Sequence, residues 1–479
     1  MKKLVTTFFI LFVAKIAFAQ AYLISVKAKG YTKGLTYFTY YNGSNLNIQD
    51  SGIIKKDGSI TFAGKTKLLG GIYVLVLPDR RRVDFLIDKE QKINITLDSS
   101  DLVFKTVITG SKENILYQQY QKTVTTKGRL RDAEGKAYLA STTKADSILH
   151  ENKYNAYSNE MSVYRESIVK NQPESMMASL LLAMKETPAL MQNPKTREDS
   201  AANFYYYKKH FWDGITFMDD RLIRTPFLLP KLQRFYGEVE INADSLIKDI
   251  DYKLLLARSS PELYKYLLNW YTDFYLNPKY MGQDAVLVHL FNNYHSKGAS
   301  YWLNSTQTEY ISRRAYMLMS NLIGEQAANL DMIDTADKPT SLYTVNADFT
   351  VVCFWDPNCG HCKIEVPRLD SIYRASWKSK GVKIFAVYTP ENEPIGNTEW
   401  LKFIGNNKIA DWQHAYQTKA MIAADNAAQK PSFRQLYDVT STPILYLLDK
   451  DKRIVGKKLT IQQMNELLEE KIKKIKRTN

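Results

Sequence analysis

Cys359, Gly360, His361 and Cys362 have the types and spacing of a redox couple. The apolar segment Phe349–Trp355 precedes them, and Asp356, Pro357 and Asn358 are turn formers, so Cys359 falls at or just before a helix N-terminus. Unpaired N–H groups and the positive end of the helix dipole favour a thiolate there, lowering a thiol that ordinarily titrates near ~8.5. With two residues between them in a helical turn, the sulfurs come within disulfide reach. Cys359 would attack a substrate disulfide, and Cys362, further into the helix, would resolve the mixed disulfide. A partly charged His361 would stabilise the thiolate and the reduced form, raising the potential within a span of about −270 to −120 mV for such centres. Other readings stay open. Structural zinc wants four ligands, and Cys353 is the one cysteine left over. Haem attachment needs His directly after the second Cys, where Lys363 stands, so that reading fails. An inert buried pair is the remaining alternative. Neither a metal nor a cofactor is expected.

The elements that must hold this pair follow from pattern. Phe349–Trp355 and Val382–Tyr388 read as buried strands, and Ile444–Leu448 with Arg453–Val455 as a hairpin. Thr460 and Gln463 have capping-box spacing, and Ile461, Met464, Leu468, Ile472 and Ile475 form one apolar helix face. Strands alternating with helices in this order predict a compact α/β domain. Thr442-Pro443 opens the strand at Ile444. A cis proline there would bring the backbone close to the cysteines and offer an extended substrate a strand edge; an ordinary trans proline entering a strand is the alternative.

Phe354-Trp355, the Cys359-Gly360-His361-Cys362 centre, Pro367, and Ser441-Thr442-Pro443 before a hairpin resemble the thioredoxin superfamily. Asp331–Asp334 and Trp412–Tyr416 look more like its exported TlpA/ResA branch of thiol-disulfide oxidoreductases. The resemblance implies Cys359 as nucleophile, Cys362 as resolving thiol, Pro443 as a cis proline beside the site, Trp355, Gly360, His361 and Thr442 as its surroundings, and Pro367 as a helix kink. Glu365 matches an acid common after the centre in that branch, with structural support the expected role. Where thioredoxins carry a buried Asp that moves protons for the resolving thiol, this chain has Cys353, read as a core thiol or, more sharply, a reserve redox partner. The His361 centre is also the one seen in protein disulfide isomerases, so the direction of exchange stays open.

Upstream the pattern changes twice. From Tyr22 to Thr109 it has period two, as in Ile93, Ile95 and Leu97 against Lys92, Asn94 and Thr96. Asp57-Gly58 reads as a hairpin turn, and Arg80-Arg81-Arg82 as a solvated hairpin tip. A small antiparallel sandwich or barrel is predicted. From Ser111 to about Leu330 the period is helical, as in Leu263, Leu267, Tyr271 and Phe274. His289 reads as a satisfied core histidine, and its spacing from His295 argues against a metal pair. Gly110–Asn114 is similar to the end of a domain of unknown function that precedes many TlpA-like proteins. Asp220–Pro226 and Met281–His289 look like a helical domain of unknown function from the same architecture.

The expected organisation is a multidomain α+β chain: a leader at 1–19, an antiparallel β-sandwich at 20–112, an all-α domain at 113–330 and a thioredoxin-like α/β domain at 331–479. Met1-Lys2-Lys3, the apolar run Leu4–Ala14 and Ala17-Phe18-Ala19 form a secretory signal pattern, with cleavage before Gln20. The mature chain is expected not to be transmembrane, because no other apolar stretch is long enough. Of 479 residues 45% are hydrophobic and 24% charged, which excludes disorder as the main story. Three cysteines are too few for a disulfide scaffold. The net charge of +15 is concentrated partly in the leader and partly in Lys471–Arg477, so nucleic acid is not an expected partner. The expected activity is thiol-disulfide exchange in the periplasm or cell envelope, on disulfide-containing or thiol proteins. A membrane thiol would donate electrons, and the upstream domains would act as adaptor. A peptide- or glycan-binding scaffold with a vestigial redox domain is the alternative, as is a disulfide oxidase or isomerase.

Overall fold

In the computed structural model, residues 20–390 and 398–478 are described. The expected leader lies outside them. The chain divides into two compact units. One ends at Val239 and takes in Leu255–Tyr266; the other comprises Glu240–Leu254 and the chain from Leu267.

The first unit begins with the period-two zone. It forms β1 (Tyr22–Lys29), β2 (Leu35–Asn42), β3 (Asn45–Ile53), β4 (Ser59–Gly64), β5 (Gly71–Val76), β6 (Arg82–Ile87), β7 (Lys92–Asp98) and β8 (Val107–Thr109). Two sheets, ordered β4-β1-β7-β8 and β3-β2-β5-β6, close on one core of Ile24, Phe38, Phe62, Tyr73, Phe85 and Ile95. The fold is therefore a sandwich, and it departs from the expectation in two respects. β1 and β7 run parallel, with Ile24 beside Ile93. The chain crosses through the other sheet between these strands, so no tight turn imposes an antiparallel pairing. The Asp57-Gly58 turn exists, with Gly58 at φ 79°, but β3 pairs with β2 and β4 with β1. It is a corner between sheets rather than a hairpin. Arg80–Arg82 does sit at the β5–β6 tip, where Arg81 is bound by Asp79 and Tyr31.

The helices are α1 (Lys112–Ala140), α2 (Lys144–Asn171), α3 (Met176–Ala183), α4 (Arg197–His210), α5 (Leu228–Arg234), α6 (Ala243–Ala257), α7 (Pro261–Tyr275), α8 (Asp284–Leu290) and α9 (Ser305–Met319). Ser111 caps α1, and the buried Asn114 side chain bonds both the N–H (2.8 Å) and the C=O (2.7 Å) of Leu86 in β6. The Gly110–Asn114 motif thus attaches the first helix to the sandwich. His289 bonds Asp251 (2.8 Å) and Asn293 (3.0 Å), whereas His295 is buried between Thr272 and Ser300, 2.8 Å from each. The two histidines serve separate networks.

The α/β part of the second unit contains β9 (Asp331–Ile333), β10 (Pro339–Ser341), β11 (Phe349–Trp355), α10 (Gly360–Ile372), β12 (Val382–Tyr388), α11 (Thr398–Asn406), β13 (Gln413–Ala415), α12 (Lys419–Ala427), α13 (Phe433–Leu436), β14 (Ile444–Asp449), β15 (Ile454–Lys457) and α14 (Ile461–Thr478). A five-stranded sheet has the order β13-β12-β11-β14-β15, with β12 parallel and β14 antiparallel to β11. Every residue of the central strand β11 is buried. Val351, Cys353 and Trp355 face a layer containing α10, α11 and α14; Val352 and Phe354 face Tyr437, Tyr446 and the segment around Leu330 and Met332. Burial on both faces explains why β11 reads as a continuous apolar run rather than as an alternation.

Candidate redox site

The β11–β14 ladder fixes the site. Phe354 lies opposite Ile444, so the ends of β11 and β14 that lead to the cysteine turn and from Thr442-Pro443 are side by side. The Thr442–Pro443 peptide is cis. Cys359 is the N-cap of α10 (φ −70°, ψ 125°), and its carbonyl accepts the helix's first hydrogen bond from Lys363 N (3.1 Å). Asp356 shapes the turn: its carbonyl accepts from Cys359 N (3.1 Å) and its carboxylate from Asn358 N (2.8 Å).

The two sulfurs occupy different environments. Cys359 is half-buried, and its thiol donates to the Thr442 carbonyl at 3.2 Å. Burial resists ionisation of Cys359, but hydrogen bonds from the Thr442 side chain, the Cys362 and His361 N–H groups and the Cys362 thiol outweigh it. The net effect lowers the pKa. Cys362 is fully buried, and burial pushes its thiol up to about 12, against a 3.5 Å hydrogen bond from Asp356 N. Cys353 lies in the same core cluster, pushed well up by burial and then by nearby Cys362. All three thiols are free.

Of the other expected site residues, Gly360 and His361 are exposed at the start of α10, and Thr442 and Pro443 are half-buried beside the pair. Nothing occupies the space where Gly360 would carry a Cβ, which leaves the approach to Cys359 open. Pro367 lies inside α10. Glu365 pairs with Arg368 at 2.6 Å along the outside of the helix, an engagement with its own helix rather than with the sulfurs. Trp355 is fully buried, 5.1 Å from the Phe403 ring and 6.3 Å from His414.

Sequence reasoning passed over His414 as anything more than part of a resembling segment. It is buried among Trp355, Trp400 and Trp412, its Nε2 is 2.8 Å from the Ile409 carbonyl, and burial lowers its pKa to about 4. Among the described residues, its Nδ1 and the indole N–H groups of Trp355 and Trp400 have no hydrogen-bond partner. A lone histidine in a three-residue strand gives no sign of this in sequence, because Trp355 and Trp400 come from other elements. Among the described residues no cluster of three or more His, Cys, Asp or Glu side chains is arranged to hold a metal ion. The arrangement chemically suits a half-buried nucleophilic sulfur backed by a fully buried, protonated resolving one.

Residues 323–457 match the AhpC/TSA family, and residues 22–117 match a domain of unknown function, DUF4369. The C-terminal domain is thus thioredoxin-like. No curated protein matches. Among solved structures, the thioredoxin-like domain is similar to a domain of a possible thiol-disulfide isomerase from Cytophaga hutchinsonii: 32% identity, 32% of this chain, 96% of that one, TM-score 0.27. A thiol:disulfide interchange protein from Bacteroides sp. shares 26% identity over 32% of this chain and 93% of that one, with TM-score 0.27. A thioredoxin-like protein from Bacteroides caccae covers more, 59% of this chain and 96% of that one, at 21% identity and TM-score 0.44.

Proposed function

We propose that the chain is an exported enzyme of the cell envelope that reduces or exchanges protein disulfides through Cys359 and Cys362. The observation that carries this is the geometry of two free thiols one helical turn apart: Cys359 half-buried at the N-cap of α10 and bonded to Thr442 of the cis Thr442–Pro443 peptide, and Cys362 fully buried behind it. The Cys359 thiolate attacks a substrate disulfide, forming a mixed disulfide and releasing one substrate thiolate, which takes a proton. Cys362 then gives up its proton and attacks the Cys359 sulfur, so the second substrate thiol leaves and a Cys359–Cys362 disulfide remains. The substrate gains two electrons, and an external thiol donor, for which a membrane thiol protein is the fitting class, restores the dithiol. Gly360, His361, Thr442 and Pro443 frame the approach, the buried Trp355 supports the site from the core, and Glu365 supports the helix.

Export rests on the Met1–Ala19 pattern; among the described residues no helix is long and apolar enough to cross a membrane. The sandwich and the helices upstream serve as adaptor for protein partners, with no role for nucleic acid. The purified chain is expected to accelerate insulin reduction by dithiothreitol, and Cys359→Ser to abolish the acceleration; equal rates would refute the reaction. His361 favours a second direction, oxidation or isomerisation. The measured potential decides: a value near about −120 mV excludes the reductase, and one below about −250 mV the oxidase.

A further inference from the structure

Asp438 is fully buried, with φ 46°, and sits in the segment that leads to Thr442. A non-glycine residue in that region needs its surroundings to hold it. Two cations do so. Arg314 of α9 donates from Nη1 to one carboxylate oxygen at 2.6 Å, and Lys458 pairs with the other. Arg314 is itself oriented by a second bond, from Nε to the Leu276 carbonyl at 3.1 Å. Nearby, Asn321 donates to the Leu436 carbonyl at 3.0 Å, and Lys457 is bonded to Asp284 and Asn321. Helical residues thus hold both the segment entering the Thr442 loop and the β15 strand that follows it. The Thr442 carbonyl and side chain are the groups of that loop that bond Cys359.

We infer that Arg314 is a positioning residue for the redox centre. By fixing Asp438 it sets where Thr442 meets the Cys359 sulfur, which makes the helical segment around α9 a working part of the redox unit. The inference rests on the exchange reaction proposed above. A guanidinium suits the task because its rigid fork serves Asp438 and Leu276 together, whereas Lys458 supplies a point charge on a flexible stem.

The test uses the full chain with Arg314→Met, Arg314→Lys, Asp438→Asn and the Arg314→Met/Asp438→Asn pair. Two quantities are measured well below each variant's melting temperature: the pH dependence of Cys359 alkylation by iodoacetamide, and KM and kcat for a disulfide peptide. Arg314→Met is expected to shift the alkylation midpoint, because the Thr442 groups that bond the Cys359 sulfur are displaced. Its KM is expected to rise about tenfold to a hundredfold, the range that an ångström of misplacement produces. Arg314→Lys recovers part of both effects, and the double variant is no worse than Arg314→Met. Should Arg314→Met fail to fold, the size-conserving Asp438→Asn carries the same readouts. Variants that match the wild type in alkylation profile and in KM overturn the inference. Alkylation needs no disulfide substrate, so a wild type without turnover would refute the proposed reaction while the positioning role is still read from the thiol.

Discussion

Replacing Lys457 by Met should destabilise the second unit far more than removal of an ordinary surface lysine would. The Lys457 side chain is 6% exposed and that of its partner Asp284 4%. The three ammonium protons are matched by the Asp284 carboxylate and by the backbone and side-chain oxygens of Asn321, both at 2.7 Å. Burial pushes the Lys457 pKa down, while Asp284 pulls it back up. The substitution removes the cation and leaves a buried carboxylate whose other oxygen, Oδ1, already lacks a partner. Breaking a buried pair from one side costs about 3–5 kcal/mol. At roughly 2–4 °C per kcal/mol for a unit of this size, the melting temperature falls by about 6–20 °C. Neutralising the other side as well, in Lys457→Met/Asp284→Leu, removes the stranded charge. The double variant should come within about 1–3 kcal/mol of wild type, the remainder reflecting the unpaired Asn321 oxygens. Calorimetry of the full chain is the assay, since two compact units need not melt together and only one transition should move. A single variant that melts within about 2 °C of wild type, or a double variant as unstable as the single, would refute the reasoning.

The second unit should also be acid-labile through two histidines. Burial holds both His295 and His414 near a pKa of about 4, below the ordinary histidine value of 6.5. As pH falls, the unfolded chain takes up these protons first, so the contribution is complete above 6.5 and is lost towards 4. Each site contributes about 3 kcal/mol. Urea midpoints between pH 7 and pH 4 check this, and a slope unchanged in a His295→Gln/His414→Gln variant would remove the assignment. Cys353 should stay unlabelled by iodoacetamide at neutral pH until the protein is denatured, because burial keeps its thiol protonated. Cys353→Ala should leave disulfide turnover intact; trapping of a Cys353–Cys362 disulfide by mass spectrometry would instead establish it as a redox partner.

Local chemistry was readable wherever one short stretch of chain contains all of its determinants. The strand, turn and helix start that carry Cys359 and Cys362 are contiguous, and turn residues followed by CxxC define them without tertiary information. The alternation of β7 was equally plain, because one face of that strand is wet: Ile93, Ile95 and Leu97 are buried, and Lys92, Asn94 and Thr96 exposed. Pairing partners were not legible in the same way. Asp57-Gly58 has hairpin chemistry yet turns a corner, since which strand a turn delivers to depends on the core that forms around it.

The largest gap lies in the charges. Lys457 looks in sequence like the solvated lysine beside it at the strand end, and Arg314 follows another arginine on a helix with exposed polar neighbours. No periodicity separates them from the other lysines and arginines, because burial of a charge is decided by a partner far away in the chain. Asp284 and Asp438 are those partners. Such a pair is tolerated in a core only when its donors and acceptors are matched, so each half imposes a requirement on a distant segment. The consequence here is specific. Apart from Lys458, the groups that meet the Asp438 and Lys457 side chains come from α8, α9 and the turn after α9, so a redox domain cut to begin at Asp331 would lose Asp284, Arg314 and Asn321 together. It would retain every residue that sequence alone marks as catalytic, yet leave the buried Lys457 ammonium without its oxygens and Asp438 with Lys458 as its one remaining cation.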